Sequence, residues 1–373
     1  MNERVPAQVF SPGEYLSDEL EARGWTQVDF AAIIGRTPAL VSQIVHAKRS
    51  VTPDLAKEFA AALGTSAMVW LNLESAYRLH ADPDPIPAKI VRHARLRERF
   101  PVREMVKRNW IAGSSDAGEL EKQVFEFFGI NELNEIPTLS HAAKKTGYPE
   151  DLNSRQLAWL FRVKQIASGL AVPPYSEKRL RSAVDELRTL LLVPEGVQQV
   201  PRILAECGVR FLIVEHVASS KIDGVCFWQV KSPVIGMSLR LDKIDNFWFV
   251  LRHEIEHVLR KHGREEAVVD IDSEEVPTSP NDEENAANWA GADFCVPDEE
   301  MADFILRNDP LFSEEDVLNF AWRMQVHPGL VVGQLQRRTG NYKLFRRHLE
   351  RIRHLVASVA ITDGYGHVVP QIS

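Results

Sequence analysis

The segment FVLRHEIEHVLRKHG (249–263) holds two histidines four residues apart, with a glutamate directly after the first. Residues i and i+4 lie on one face of an α-helix, so His253 and His257 can present two imidazole nitrogens to one metal ion. Glu254 lies beside them, where a carboxylate can take a proton from water at the metal. The segment therefore predicts a hydrolytic metal site. The alternative is a charged helix that merely contains two histidines.

The spacing is the HExxH arrangement of zinc peptidases, which needs a third protein ligand. Metzincins place a histidine six residues after the second one, with a glycine between them to turn the chain. Here Leu259 and Arg260 continue the helix, and His262 is one position off. We therefore expect His262 to be an ordinary histidine at a helix end, where a cation is favourable.

The segment ENAANWAGADFCVP (284–297) offers a better third ligand. Its pattern is helical, and its small residues would let it approach the first helix closely. Glu284 from this second helix completes a His-His-Glu site and leaves the fourth position for water. Asn288, one turn further on, can hydrogen-bond a ligand histidine and fix its tautomer. The expected ligands of one Zn²⁺ ion are His253, His257 and Glu284.

The two segments together resemble the ImmA/IrrE family of bacterial metallopeptidases, over about residues 205–340. The matching features are NFWFVLRHEIEHVL (246–259), FAWRMQVHPGLVVGQLQRR (320–338), and Glu284, Ala287, Asn288, Ala290 and Pro297. By position, the resemblance implies His253, His257 and Glu284 as ligands and Glu254 as the catalytic carboxylate. Glu256 stands where the family usually has a small residue, and its carboxylate could narrow the cleft or change the zinc affinity.

A second group of residues is suited to DNA. Gly35 lies at a tight turn between two short helices, Thr37 can cap the second helix, and Pro38 takes its first position. In this helix-turn-helix pattern, the second helix presents side chains to base edges, and Gln43 can pair with adenine. The outward-facing positions of this helix are Ala39, Leu40, Ser42, Gln43 and His46. The expected DNA contacts are Gln27, Arg36, Thr37, Ala39, Leu40, Ser42, Gln43, Lys48 and Arg49.

Residues 11–80 resemble the HigA-type antitoxin branch of the Xre helix-turn-helix family. The resemblance is carried by GEYLSDELEARGWTQ (13–27) and GTSAMVWLNLESAYRL (64–79). It implies operator double-stranded DNA as a partner, a homodimer, and a cognate toxin as a further candidate partner. His46 and Ala47 replace the Asn-Gly common in the family, so the turn there is expected to differ. The alternative is a helical module used only for protein contacts.

Composition limits the class of protein. The chain has 373 residues, 45% of them hydrophobic, which is enough for two or three domains. Its net charge of −8 means that DNA binding must come from a local patch. Three widely spaced cysteines predict buried, reduced thiols.

No run approaches the roughly 18 apolar residues of a membrane span, and the N-terminus has no apolar signal region. We expect a cytoplasmic protein without membrane contact.

The order of patterns predicts an α+β protein, mainly α with a small β-sheet. The expected segments are a helix-turn-helix bundle at 1–80, a linker at 81–87, a helical connecting region at 88–200, a zincin-like metallopeptidase domain at 201–345, and a C-terminal helix and tail at 346–373. Three strands are expected in GVRFLIVEHV (208–217), GVCFWQV (224–230) and SPVIGMSLRL (232–241). The last directly precedes the metal helix, so we expect it to line the cleft and offer an edge to an extended peptide.

Two stretches leave alternatives open. The basic run at 88–110 can add phosphate contacts or form a solvated helix face. The segment at 320–336 also matches the pattern of a second helix-turn-helix, but we expect it to pack on the peptidase domain.

The sequence therefore favours a cytoplasmic regulator that binds DNA and uses zinc-activated water to cleave a protein. A repressor is the leading substrate class by resemblance. The alternative is a non-enzymatic, antitoxin-type repressor whose zincin-like domain is a sensor or a protein-interaction module. An open fourth coordination position would favour the enzyme. The candidates for stabilising the oxyanion are His216, Tyr342 and His327, and the sequence does not distinguish among them.

Overall fold

The computed structural model describes residues 9–81, 88–135, 137, 152–264, 267–271 and 282–364. The chain forms two compact units, Met1–Ala88 and Lys89–Ser373. Apart from Ala81, which ends a helix, the predicted linker at 81–87 lies outside the described residues.

The described part of the first unit is helical. Its helices are α1 (Pro12–Arg23), α2 (Gln27–Ile33), α3 (Pro38–Val45), α4 (Pro53–Leu63) and α5 (Ala67–Ala81). The first four begin at hydroxyl side chains, each of which accepts a hydrogen bond from a backbone N–H of the first turn. Phe30, Phe59 and Trp70 are fully buried and meet edge to face. These aromatic rings fix how the short helices pack.

The second unit contains more helices and the sheet. The helices are α6 (Ala88–Arg99), α7 (Val102–Lys107), α8 (Ala117–Phe128), α9 (Ser154–Ser168), α10 (Glu177–Arg188), α11 (Val200–Glu206), α12 (Ile244–Leu259), α13 (Asp282–Cys295), α14 (Asp298–Asn308), α15 (Glu314–Met324), α16 (Pro328–Thr339) and α17 (Arg353–Val356). Short 3₁₀ helices lie at Pro194–Gln199 and Arg346–His348.

The sheet has five strands, and the α+β prediction is confirmed. The strands are β1 (Arg210–Ile213), β2 (Ile222–Gln229), β3 (Ser232–Met237), β4 (Val268–Ile271) and β5 (Ile361–Thr362), in the spatial order β4-β2-β3-β1-β5. β2 is antiparallel to β3 and β4, whereas β1 is parallel to β3 and β5. The three expected strands are present, and β4 and β5 are additions that the sequence analysis did not predict.

Alternate residues of the strands face two different cores. Ile235 and Met237 on β3 join the core that contains α12, whereas Val234 joins the core that contains α9. This period of two is what a sheet covered on both faces requires. The sheet is therefore sandwiched between helical layers, and α12 lies on one of its faces.

The position of β3 corrects one expectation. β3 pairs with β1 on one side and with β2 on the other, so it has no free edge. The sequence places this strand next to the metal helix in the chain, but the order of strands in a sheet is decided by long-range pairing. In the part of the sheet that the structure describes, β4 and β5 are the end strands.

Helix α16, in the segment that also scanned as a second helix-turn-helix, packs into the core. Leu330, Val331 and Leu335 are buried there. A Cβ on Gly333 would lie 2.3 Å from Oδ2 of Asp245 in the first turn of α12. This close approach agrees with the expectation that the segment packs on the C-terminal domain, here against α12.

Candidate metal centre

Helix α12 presents the HEIEH residues from inside the core. Phe247, Trp248 and Leu251 are buried along the same helix and anchor it. His253 and His257 are each only 1% exposed, and their Nε2 atoms lie 3.0 Å apart. The spacing of four residues thus brings both imidazoles to one point, as expected from helical geometry.

Helix α13 brings Glu284 to the same point. Its Oε2 lies 3.5 Å from Nε2 of His253, and its Oε1 lies 3.5 Å from Nε2 of His257. Gly291 permits the close approach of the two helices, because a Cβ there would lie 2.9 Å from the carbonyl oxygen of Phe249. The ligand atoms of these three residues all lie within 4.8 Å of one another.

These distances fit a tetrahedral ion. Bonds of about 2.0–2.2 Å place neighbouring ligand atoms about 3.3–3.6 Å apart, close to the separations between the three side chains. Burial lowers the pKa of His253 to about 4 and, with the neighbouring histidines, that of His257 to about 3. Both rings are therefore neutral near pH 7, and each can offer a lone pair to a metal. Burial and Glu283 raise the pKa of Glu284.

The second ring nitrogen, Nδ1, of each imidazole also has a polar partner. Oδ1 of Asn288 lies 3.1 Å from Nδ1 of His253, the kind of contact that the sequence predicts for this amide. Nδ1 of His262 lies 2.9 Å from Nδ1 of His257, and Nε2 of His262 lies 3.4 Å from Oε1 of Glu283. A partner on the second ring nitrogen fixes the orientation of a metal-ligating histidine.

Sequence reasoning missed the contact of His262 with His257. α12 ends at Leu259, and Lys261 takes a left-handed φ of 64°. The chain turns back there, so that the backbone N–H of His262 donates to the carbonyl of His257. His262 does lie at the helix end, but the turn directs its ring to the candidate metal site.

The Glu254 carboxylate lies between α12 and β2. The residue is fully buried, and a Cβ on Gly224 of β2 would lie 2.3 Å from its Oε1. Burial and the charge of Glu254 raise the pKa of Cys226, two residues further along β2. The missing side chain at Gly224 therefore makes the room in which this carboxylate sits.

The carboxylate of Glu256 forms ion pairs with two arginines that lie four residues away in the sequence. It accepts hydrogen bonds from Arg252 at 2.8 Å and from Arg260 at 2.7 Å. Burial raises its pKa, but the two arginines outweigh this effect and lower it. These ion pairs involve Arg252 on α12 and Arg260 at its C-cap rather than the three grouped ligands.

The three candidates for oxyanion stabilisation have different surroundings. Tyr342 is 65% exposed. His327 caps α16 and lies 3.4 Å from Glu350. His216 is half-buried, and burial together with Arg353 and Arg108 lowers its pKa. Among the described residues, no hydrogen bond or ion pair links any of the three to His253, His257 or Glu284.

In the first unit, α2 and α3 meet at 119° across Gly35, which has a φ of 66°. Thr37 caps α3 through its hydroxyl, with Pro38 at the first position. Helices at this angle, joined by a glycine turn, are typical of a helix-turn-helix. Ala47 takes a φ of 53°, the left-handed region that a glycine would adopt there.

The predicted DNA contacts do not all have the same exposure. Ala39, Gln43, Lys48 and Arg49 are exposed, while Gln27, Leu40 and Ser42 are half-buried. Arg36 is exposed, but its guanidinium pairs with Glu58 at 2.6 Å and 3.0 Å. This carboxylate lies 22 residues away, which is why the sequence did not indicate the pairing.

The basic run at 88–110 is partly internally paired. Lys89 pairs with Asp116 at 2.9 Å and Arg92 with Glu121 at 3.2 Å. Arg108 is buried and donates to the carbonyl of Glu215. These contacts favour a structural role for this stretch.

Within the described residues, no single helix has the length and apolarity needed to span a bilayer. Only the bent pair α2 and α3, taken together, meets the criteria of length and composition.

Comparisons with known proteins match a family to each of the two units. Residues 16–70 match the helix-turn-helix family HTH_3, and residues 208–334 match the IrrE N-terminal-like domain of the family Peptidase_M78. The chain thus joins an Xre-type helix-turn-helix domain at its N-terminus to an IrrE-like domain at its C-terminus. The second family indicates a metallopeptidase-like domain.

Individual relatives cover the N-terminal part. The uncharacterized HTH-type transcriptional regulator YddM of Escherichia coli K12 is 28% identical over 68 residues, which is 18% of this chain and 72% of that protein. An addiction module antidote protein of the HigA family from Coxiella burnetii is 32% identical, covering 19% of this chain and 79% of that one, with a TM-score of 0.19. The Pseudomonas aeruginosa antitoxin HigA, solved with its higBA promoter, is 31% identical, covering 20% and 82%, with a TM-score of 0.19.

Proposed function

We propose that the chain is a DNA-binding transcription regulator whose C-terminal domain is a zinc-dependent endopeptidase that cuts a regulatory protein. A repressor is the leading substrate class. The observation that carries this proposal is the convergence of His253, His257 and Glu284 from two helices, with the buried Glu254 directly after His253 on α12. The match of residues 208–334 to a peptidase family supports it.

Zinc is the metal that suits this donor set. Two neutral imidazoles and one carboxylate are the protein ligands of many catalytic zinc sites, which keep a fourth position open. His253, His257 and Glu284 would hold the ion. When bound, zinc supplies a Lewis acid that polarises a peptide carbonyl.

The remaining steps belong to side chains of this protein. Glu254 accepts a proton at a carboxylate oxygen from the attacking water, and then returns that proton to the nitrogen of the leaving amine as the C–N bond breaks. Gly224 leaves the space that this carboxylate occupies. Asn288 and His262 hold the two imidazoles in their orientations.

Strand β4 is the better candidate for binding the substrate backbone. It lies at one end of the described sheet, and its Asp270 is in register with Gly224, which contacts Glu254. An extended peptide that pairs with such a strand gains main-chain hydrogen bonds without requiring one side-chain sequence. This replaces β3 as the proposed edge.

The N-terminal unit is proposed to bind operator DNA as a homodimer. The geometry of α2 and α3, with Gln43 exposed on α3, supports major-groove binding. Two-fold operators require two copies of such a helix about one DNA turn apart. A cognate toxin is a further candidate partner of this unit.

Metal removal tests the proposal. The full-length protein is stripped with a chelator, reloaded with zinc or magnesium, and incubated with repressors encoded near its own gene. We expect cleavage to disappear on stripping and to return with zinc only, as mass spectrometry of fragments would show. Cleavage that survives complete stripping would contradict zinc dependence. If the zinc-loaded protein cuts none of the candidates, the sensor alternative is favoured.

A further inference from the structure

A cavity of about 890 Å³ lies away from the residues assigned to the metal centre. It is formed by the connection from β3 to α12, residues 240–243, and by the segment 346–353. Six of its lining side chains are cationic, namely Arg240, Lys243, Arg346, Arg347, Arg351 and Arg353. The acidic residue in the lining is Asp242.

Half of these cations already have anionic partners. Arg240 pairs with Asp223 at 2.8 Å, and Arg353 and Arg347 pair with Glu215 and Glu314. Asp242 is also engaged, because its Oδ1 accepts hydrogen bonds from the backbone N–H groups of Ile352 and Arg353.

The other three cations lack a directly paired anion, although the charge of Lys243 opposes the rise in the pKa of the buried Asp245 carboxyl. Lys243, Arg346 and Arg351 form no ion pair with any residue that the structure describes, and Arg346 and Arg351 are exposed. Like charges gathered around one recess repel each other, which raises the free energy of the empty site. In a chain with a net charge of −8, such a recess is a local site for an anion that carries several charges.

We propose that this cavity binds a small molecule that carries two or more linked phosphates. Guanidinium groups match phosphate oxygens through two parallel hydrogen bonds, and a lysine adds a point charge. The volume lies within the range of roughly 300–1,000 Å³ that is typical of small-ligand sites. A concave recess favours such a ligand over duplex DNA, whose convex backbone fits exposed helices such as α3.

The proposal is independent of the peptidase assignment. Four of the six cations lie in 346–353, beyond residues 208–334 that match the IrrE-like domain. Lys243 is the N-cap residue directly before α12, and His253 follows ten positions later, on that helix. At about 1.5 Å per residue, a bound ligand would touch the metal helix about 15 Å from its first ligand.

Isothermal titration calorimetry of the full-length protein with sodium tripolyphosphate, at fixed ionic strength, tests the proposal. We expect saturable binding to the wild type and about tenfold or greater weakening in R346A/R351A, because two charge-assisted hydrogen-bonding groups are lost. The control K122A/R155A removes two exposed charges from α8 and α9 and should bind as the wild type does. If tripolyphosphate chelates a bound metal, the heat of that reaction is the same in the control and in R346A/R351A. A parallel titration with ATP shows whether the cavity prefers a nucleotide or a bare polyphosphate.

Equal binding by the wild type and R346A/R351A would overturn the proposal, as would no binding to the wild type at millimolar tripolyphosphate. A duplex oligonucleotide provides the competing outcome. If duplex DNA binds through Arg346 and Arg351 while tripolyphosphate does not compete, the cavity belongs to a DNA-binding surface and the polyphosphate assignment is wrong.

Discussion

Burial determines the chemistry of the candidate ligands at the scale of single residues. His253 and His257 would each be half-protonated near pH 6.5 in water, but their pKa values fall to about 4 and about 3 in the folded chain. The rings therefore keep their lone pairs well below neutral pH. Glu284 supplies the one carboxylate among the three grouped side chains, and burial together with Glu283 raises its pKa.

Glu284→Ala should abolish stoichiometric zinc binding, because two imidazoles alone leave half of the tetrahedral shell empty. Zinc per chain, measured by inductively coupled plasma mass spectrometry after dialysis, should fall from about one to near zero. The control Glu299→Ala removes an exposed carboxylate on α14 and should retain the metal. Equal zinc in wild type and Glu284→Ala would remove this residue from the site.

His262→Ala should weaken zinc binding without abolishing it. Its ring orients His257 through a contact of 2.9 Å, and the loss of such a partner typically costs about 10–100-fold in metal affinity. A competitive chelator titration measures the change, with Glu299→Ala, an exposed position on α14, as the control. An unchanged affinity in His262→Ala would show that the contact has no orienting role.

Most of the residues proposed for the metal site could be anticipated from the sequence. The spacing of His253 and His257 follows from helical periodicity, and Glu284 and Asn288 follow from the second helix. The structure brings these residues together, and their roles stay predictions. His262 could not be anticipated, because its position depends on the left-handed turn at Lys261.

At the scale of secondary-structure elements, the packing of α12 against β2 fixes the carboxylate of Glu254, the proposed catalytic group. Gly224→Ala introduces a Cβ that would lie 2.3 Å from Oε1 of Glu254. The carboxylate must shift, so cleavage should fall while zinc is retained, and overpacking should cost about 1–3 kcal/mol of stability. Rate, metal content and Tm are measured together.

Gly169→Ala is the matched control for this change. Its added Cβ would lie 3.6 Å from the carbonyl oxygen of Ile166, an ordinary contact. Full cleavage activity in Gly224→Ala would show that the position of Glu254 next to β2 is not required.

Gln43→Ala tests α3 as the recognition helix. Gln43 is exposed, and an amide that pairs with a base edge is worth about 1–3 kcal/mol of discrimination. Fluorescence anisotropy should show weaker binding to the operator and unchanged binding to a scrambled duplex. An equal loss of affinity for both duplexes would show that Gln43 contacts a phosphate or supports folding, and does not read a base.

Element type was easier to predict than element pairing. The strands at 208–217, 224–230 and 232–241 were recognised from their composition, and β1, β2 and β3 lie within them or overlap them. The place of β3 inside the sheet depends on its pairing with β1 and β2, which local patterns do not encode. β5 has two residues and β4 has four, too short for a clear alternation of polar and apolar residues.

At the scale of the whole molecule, the chain combines a helix-turn-helix domain with an IrrE-like domain that contains the candidate metal ligands. The family matches at 16–70 and 208–334 fall in different compact units, Met1–Ala88 and Lys89–Ser373. Chain length predicts several domains, and the α+β class follows from the change of periodicity along the chain. The substrate depends on surfaces that no local motif describes, and the sequence did not predict it.

The most direct test of the central claim compares wild type with Glu254→Gln, in the zinc-loaded, full-length form. Glutamine keeps the shape of the buried side chain but cannot accept the proton from water. Both proteins are incubated with repressors encoded nearby, and fragments are followed by mass spectrometry, with zinc content and Tm measured in parallel. We predict fragments from the wild type only, with about one zinc per chain and closely similar Tm values in both. Identical fragments from the two proteins would contradict the account.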